Sequence, residues 1–500
     1  MRVQNSKSTP ATVPGLRVYR PESPAARMAL VGATVVVGFV LMWMAGRSGP
    51  VRTWMVAAGI AVLLVARGLH LRRPVTVTHA AAAVLMVAAA DVAYSSAHST
   101  PGFLLLVATG LVLMLPVRSV PQPEDRARVF TLIQQTTGDP LSPFALNSAK
   151  SYYFNASGAA AIAYRARSGI AVVSGDPIGD PLEFAALLDE FDEFAAERGW
   201  RVAVLGAGER VTRLWEIGGD TRKPLTAVPI GRDVVVDVGS FTLHGRQFRN
   251  LRQAVQRTRN AGLTTEIVPE SALDEPTRRE LTDIVDDARA GRQRRGFSMI
   301  LDHLLDGTLP GVLLVVARDG TGRAVGFQRY GTADSARELS LDVPWRGDGA
   351  PNGTDERMTV DVIRYAERTG ARSVSLSFAA FPELLDPDAP GAGARLFRRI
   401  LHLGDALIAL ESLYRYLGKF HATGNRRYVL LRFRYLLPVA FACLTFEFVP
   451  HRGTGLTRVQ KSKFFSFVAV SASTTAARSV LDTSAVSSFG VDGVALSGRV

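Results

Sequence analysis

Cysteine is nearly absent from this chain. One residue, Cys443, stands among 500. That excludes an intrachain disulfide and any metal site built from spaced Cys/His pairs. Cys443 sits in an apolar run, residues 436–444, where a small buried hydrophobe is the expected role. The sequence also lacks a nucleophile elbow, a P-loop, an HExxH helix and a strand-linked GxGxxG. It lacks the basic, glycine-spaced loop at a helix start that cradles the pyrophosphate of acetyl-CoA. The expectation is therefore no metal and no bound cofactor. Acidic residues are in deficit: 45 Asp and Glu face 58 Lys and Arg, a net charge of +13. An excess of that size points to an anionic partner, nucleic acid or anionic lipid, and is silent on the fold.

What is abundant is apolar, and it is concentrated before residue 120. Residues 1–26 are polar and contain proline, so they read as disordered. The first apolar stretch starts near Met28 without a small-residue cleavage site, which argues against a secretory signal. Four stretches, 28–46, 53–69, 75–95 and 102–117, predict about four transmembrane helices over 27–118, the last one short. Arg17, Arg20 and Arg27 precede the first stretch. Arg67, Arg72 and Arg73 follow the second, and Arg118, Arg126 and Arg128 follow the fourth. No Lys or Arg separates the third from the fourth, while Arg47 and Arg52 between the first and second run against the trend. The balance places both ends of the helical region in the cytoplasm.

Residues 119–450 read as soluble α/β with one pattern occurring twice. In the first copy, segments 159–164 and 169–173 form a hairpin. A turn at 175–181, a helix at 184–198 and a strand at 201–205 follow. In the second, 312–316 and 324–328 form the hairpin. The turn Pro351-Asn352-Gly353-Thr354, a helix at 357–369 and a strand at 373–378 complete it. Hairpin, helix and strand twice over predict two related α/β units, each with a mixed sheet, at 119–240 and 266–450. Between them, at 241–265, lies a basic linker helix. Arg246, Arg249, Arg252, Arg257 and Arg259 share it with Leu243, Phe248, Leu251 and Val255 at helical spacing. Residues 451–500 turn Ser-, Ala-, Val- and Thr-rich, a low-complexity tail.

Three short segments carry polar chemistry. Thr354 is placed to cap the helix that follows the Pro-Asn-Gly turn, with Asp355 and Glu356 in its first turn. Acids there offset the helix dipole, and one of them pointing into a cleft would orient an amine or hydroxyl. In 412–428, Arg415 and Lys419 share a helix face and interleave with Tyr414, Tyr416 and Phe420. That is either a solvated basic face or a grip for phosphate and a stacked base. Arg294-Arg295-Gly296-Phe297-Ser298 is a basic turn.

Six segments occur in order: Lys150-Ser151-Tyr152-Tyr153-Phe154, Val173-Ser174-Gly175-Asp176-Pro177-Ile178-Gly179, Phe248-Arg249-Asn250-Leu251-Arg252, Arg295-Gly296-Phe297-Ser298, Pro351-Asn352-Gly353-Thr354 and Gly418-Lys419-Phe420-His421. Together, over about 125–435, they resemble the C-terminal domain of phosphatidylglycerol lysyltransferases, the multiple peptide resistance factors. The resemblance implies a tandem GNAT-like acyltransferase domain on a short membrane region, the soluble part facing the cytoplasm of a bacterium. It implies transfer of an amino acid from aminoacyl-tRNA to a hydroxyl of phosphatidylglycerol, with tRNA and an anionic membrane as partners. By motif, Glu356 falls on an acidic position of the family, and Lys419 and Arg427 fall on basic ones. The implied catalytic set is Glu356, Asp355 and Lys419. The implied substrate contacts are Arg427, Arg415, Arg246, Arg249, Arg252, Arg295 and Asn352. Two other readings share these residues: transfer to a different lipid or a peptide, and a non-catalytic membrane protein that binds tRNA or anionic lipid.

Overall fold

The computed structural model describes residues 17–19, 24–45, 52–219, 222–288, 297–380, 416–422 and 424–448. Four apolar helices lead: α1 (Pro24–Ala45), α2 (Arg52–His70), α3 (Val77–Ser95) and α4 (Ser99–Leu113). The apolar spans in α1, α2 and α3 have 20, 18 and 19 residues. At 1.5 Å per residue they reach about 27–30 Å, the depth of a bilayer core. Helix α4 has 15 residues, so three of the four predicted stretches reach spanning length. Val36, Phe39, Val84 and Leu85 point outward from the bundle. Inside it, a Cβ on Gly110 of α4 would collide with the backbone of Ala61 in α2, so glycine permits the close crossing. A short pair, β1 (Arg17–Tyr19) and β2 (Val75–Thr76), brings the N-terminal segment to the start of α3.

Helix α5 (Arg126–Gln135) leads into the first half: β3 (Ser151–Phe154), β4 (Ala160–Arg167), β5 (Ile170–Ser174), β6 (Ile178–Gly179), α6 (Phe184–Glu197), β7 (Arg201–Gly208), α7 (Glu209–Ile217) and β8 (Thr226–Asp237). Helix α8 (Arg249–Asn260) opens the second: β9 (Thr264–Pro269), α9 (Glu275–Ala288), β10 (Val312–Arg318), β11 (Ala324–Ala333), β12 (Glu338–Arg346), α10 (Thr354–Thr369) and β13 (Ser373–Ala380). The last elements are β14 (Arg426–Leu431) and α11 (Leu436–Phe448). Twelve strands form one mixed sheet in the order β3-β4-β5-β7-β14-β8-β13-β12-β11-β10-β9, with β6 on β4.

Each half lays down an antiparallel hairpin, crosses over through a helix and returns parallel to the hairpin's second strand. In the first half β4–β5 leads through α6 to β7. In the second, β11–β12 leads through α10 to β13. This shifts the predicted repeat by one strand. Segments 312–316 and 324–328 do pair, as β10 and β11, but their counterparts are β3 and β4. The strand whose omission shifts the second copy is β12. Its inward Glu338, Ser340 and Asp342 are buried yet polar, which disguised a core strand as a surface segment.

Helix α6 forms because Phe184, Leu187, Leu188, Phe191, Phe194 and Ala195 fall on one stripe. That stripe covers Ile162, Tyr164, Val173 and Val204 of the sheet. Helix α10 repeats the arrangement with Met358, Val362, Ile363 and Ala366 over Val315, Tyr330, Leu341 and Val374, and α8 packs into the same core. The two halves are stitched by β14. It arrives after the second half yet pairs with β7 on one side and β8 on the other. A buried Arg329 ties the 301–303 backbone to the sheet, bonding the Glu270 carboxylate at 2.7 Å, Asp342 at 2.9 Å and the Asp302 carbonyl at 3.0 Å.

Candidate active site

The Pro351-Asn352-Gly353 turn sets the start of α10. Gly353 has φ +105°, and a Cβ there would lie 2.9 Å from the Ala254 carbonyl oxygen of α8, so both conformation and space call for glycine. Thr354 does not cap the helix as expected. Its hydroxyl donates back to the Pro351 carbonyl at 2.6 Å, because Gly353 in the left-handed region occupies the cap position. Asn352 is exposed on the turn.

In the first turn of α10, the Glu356 carboxylate accepts from the Lys419 ammonium at 2.5 Å. The Glu356 side chain is 10% exposed and that of Lys419 38%, so the pair sits at a rim, carboxylate inward and amine outward. Asp355 turns toward Arg346, 3.7 Å away. Burial raises its carboxyl above the ordinary range, and Arg346 opposes that rise. Beneath the pair runs a polar ladder. Gln328 Nε2 donates to the Asp355 carbonyl at 3.1 Å, and Gln328 Oε1 accepts from Tyr330 at 2.8 Å and Thr359 at 3.1 Å. The Tyr416 hydroxyl closes it against Thr359. Burial pushes both phenols up, keeping them neutral donors. Sequence reasoning missed Gln328, Tyr330 and Thr359 as site support. The signal available was a glutamine inside an otherwise apolar strand.

Residues flanking Lys419 lock to α8: His421 packs edge-on to Phe248 at 5.4 Å. On α8, Leu251, Ala254, Val255 and Thr258 face the core. Arg249, Arg252, Arg257 and Arg259 are exposed, as is Arg246 in the preceding turn. Arg252 also donates to the Gly245 carbonyl at 2.7 Å. A groove of about 330 Å³ runs along α10, lined by Arg357, Arg364, Arg368 and Tyr365 together with Asp361, which pairs with Arg357 and Arg364. It lies on the flank of α10 away from Glu356. Arg295 and Arg415 lie outside the described residues.

Arg427 stands apart from that rim and is 3% exposed. Its Nε donates to both Asp233 oxygens at 2.9 and 2.8 Å, and its Nη2 to Asp139 at 2.7 Å. Asp176 lies 3.8 Å from Nη1, and the Gly206 carbonyl accepts at 3.2 Å. The expected substrate-binding guanidinium is thus saturated by carboxylates at the seam of β7, β14 and β8. The three acids raise Arg427 against the desolvation that lowers it. Asp176 accepts from the Gly208 amide at 2.8 Å, and burial, then the charge of Asp139, push its carboxyl up to about 7. A raised acid favours the folded state fully below the ordinary pKa of 3.8, and that contribution is lost as pH climbs through about 7. Asp176→Asn removes the titration. Relative to the variant, the parent should lose stability between about pH 4 and pH 7, by no more than ~1.4 kcal/mol per pH unit. Unfolding of both proteins in the same detergent across that range checks it, and parallel curves would refute it.

The ordered segments of the sequence meet in space around two centres. Lys150, fully buried, donates to the Phe144 carbonyl at 2.7 Å and Ser174 Oγ at 2.8 Å, and lies 5.2 Å over the Phe297 ring. Desolvation pushes its amine down to about 7. The second centre is Phe248, Gly353 and Lys419 to His421.

Comparison with known proteins agrees with this architecture. The profile of the phosphatidylglycerol lysyltransferase C-terminal family matches residues 130–431. An MprF-like domain protein of Mycobacterium tuberculosis is 47% identical over 82% of this chain and 84% of its own. The lysylphosphatidylglycerol biosynthesis bifunctional protein LysX of Mycobacterium marinum is 33% identical over 65% of this chain, which spans only 30% of the LysX length. Among solved structures, L-PGS from Bacillus licheniformis superposes with a TM-score of 0.53 at 20% identity, covering 65% of this chain and 96% of that one. A C-terminal domain assigned to a lysylphosphatidylglycerol synthetase of Agrobacterium fabrum gives 0.56 at 22% identity, covering 67% and 100%. At these identities the two structures speak for the fold.

Proposed function

This chain belongs to the phosphatidylglycerol lysyltransferase C-terminal family, and from that premise we propose that it moves an aminoacyl group from tRNA to the glycerol hydroxyl of phosphatidylglycerol. The carrying observation is the Glu356–Lys419 pair, held at a rim between the start of α10 and the segment 416–422 that packs on Phe248. Membership in the family and the three long apolar helices make it a membrane protein. The proposal adds that the helices cross the bacterial inner membrane with the sheet domain on the cytoplasmic side, where aminoacyl-tRNA is found.

In the reaction, the lipid hydroxyl oxygen bonds to the ester carbonyl carbon. The bond from that carbon to the terminal ribose oxygen breaks, and the ribose oxygen takes up a proton. One ester replaces another, so positioning supplies most of the rate. Glu356 holds the α-amino group of the aminoacyl moiety or receives the proton of the attacking hydroxyl. Lys419, the outward partner, meets the terminal phosphate or ribose. Arg246, Arg249 and Arg252 bind the tRNA backbone, with the steep salt dependence that phosphate contacts bring. Arg427 acts at one remove, fixing β14 and with it the loop that carries Lys419.

The test is expression in a bacterial host that makes phosphatidylglycerol but no aminoacylated lipid, followed by mass spectrometry of the lipid extract. The expected result is a new species heavier than phosphatidylglycerol by one aminoacyl residue, and its mass identifies the amino acid. No such species, with the protein present in the membrane fraction, would refute the proposal.

A further inference from the structure

Helix α11 begins just beyond residue 431, where the match to the family profile ends. We propose that α11 is an interfacial helix whose outer face lies in the headgroup region of an anionic bilayer, seating the first half of the sheet against the membrane.

The inner face of α11 is fully used. Val439, Ala442 and Phe446 pack on Ile170, Val172, Ala203 and Phe297. Glu447 fastens the helix end by accepting from the Phe297 and Ser298 amides, each at 3.0 Å. The outer face is just as apolar and has no such partner among the described residues: Leu437 is 81% exposed, Phe441 68% and Leu444 56%, with Phe433 at 63% just before. A surface helix in water carries polar residues on that side, and one that is apolar all round belongs in a core or in lipid. Thirteen residues rise only about 20 Å, too little to cross, so the helix lies along the membrane rather than through it.

Charge and position select an anionic bilayer as the occupant. The stretch 431–446 contains no Asp or Glu and includes Arg432 and Arg434. Strand alternation puts Arg165 and Arg167 of β4 and Arg201 of β7 on the sheet face that α11 covers. The Arg201 and Arg434 guanidiniums lie 5.4 and 4.7 Å over the Tyr435 ring, and that of Arg165 lies 4.6 Å over Phe446. Apolar side chains flanked by arginines match acyl chains beneath lipid phosphates. The patch is also continuous with the membrane helices. The strands under α11 begin at Gly169 and just after Trp200, where the segments that follow α2 and α4 abut the sheet. The Trp200 indole donates to the Val117 carbonyl at 2.8 Å, and a Cβ on Gly199 would lie 2.9 Å from the Arg72 carbonyl oxygen.

The test uses the full chain in vesicles of phosphatidylcholine and phosphatidylglycerol, in a Cys443→Ser background. Single cysteines replace Phe441, Leu437 or, as a control on the opposite face of the same half, the exposed Ile217 of α7. Each carries a small fluorophore, with retained thermal unfolding as the check on folding. Lipid-borne nitroxide should quench positions 441 and 437 several-fold more than 217, and aqueous iodide should show the reverse order. Iodide quenching at 441 and 437 equal to that at 217 would mean water covers the face. Protection from both quenchers would mean protein covers it, the C-terminal tail or a second copy. Either result overturns the proposal. The readout does not depend on which group the enzyme transfers.

Discussion

Replacing Glu356 with glutamine should lower aminoacyl transfer by about 10²–10⁴-fold while leaving the protein folded, the range for loss of one positioned acid–base group. The substitution keeps the shape and one acceptor oxygen, but removes the charge that meets Lys419 at 2.5 Å. A neutral amide neither takes a proton from the attacking hydroxyl nor pairs with an α-ammonium. Little stability is at stake. The Lys419 side chain is 38% exposed and reaches water once unpaired, so the loss is discounted to that of a screened surface pair, less than ~1 kcal/mol. Lys419→Met should lower transfer too. The double variant should be little worse than the worse single one, because the two groups act as a unit. Initial rates in phosphatidylglycerol vesicles, read beside melting temperatures, separate the two effects. Glu356→Gln with near-parental transfer would remove Glu356 from the mechanism, while additive losses would show that the two residues work independently.

The site was legible where local sequence carries the signal. The turn Pro351-Asn352-Gly353 and the two acids after it announced a helix start, and α10 begins there. The arginines of α8 announced a basic face because the apolar residues between them keep helical spacing. What stayed hidden depends on contacts between residues far apart in the chain. Nothing near Arg427 in sequence suggests that Asp139, Asp176 and Asp233 converge on it. The sheet brings them together only because β14 inserts between β7 and β8. Strand β12 was missed for the same reason: Asp342 looks solvent-facing until Arg329 is seen buried against it. The four apolar stretches were plain, and so was the shortness of the fourth, which the structure keeps as a 15-residue helix.

Arg427→Met should destabilise the protein by roughly 3–5 kcal/mol at neutral pH, the loss expected when one partner of a buried ion cluster is removed. Asp139 and Asp233, 6% and 3% exposed at their side chains, would each lose a charged partner within 2.8 Å. Burial already raises Asp233 above the ordinary carboxylate range with Arg427 present, and removing the cation raises it further. The sign of the pH dependence follows. A carboxyl raised in the folded state is neutral there below its shifted pKa, so the deficit of the variant should shrink as the pH falls and grow as it rises. Adding Asp233→Asn to Arg427→Met should recover part of the loss, since an amide needs no cation. The strand β14 is held by this cluster, and the loop bearing Lys419 precedes it, so partial unfolding should also abolish transfer. The rescue separates this from a direct role of the guanidinium. If Arg427→Met with Asp233→Asn regains stability and transfer together, Arg427 is a positioning residue. If stability returns while transfer does not, the guanidinium itself touches substrate. A single variant within ~1 kcal/mol of the parent would show that the three acids tolerate one another without it, contrary to the desolvation argument.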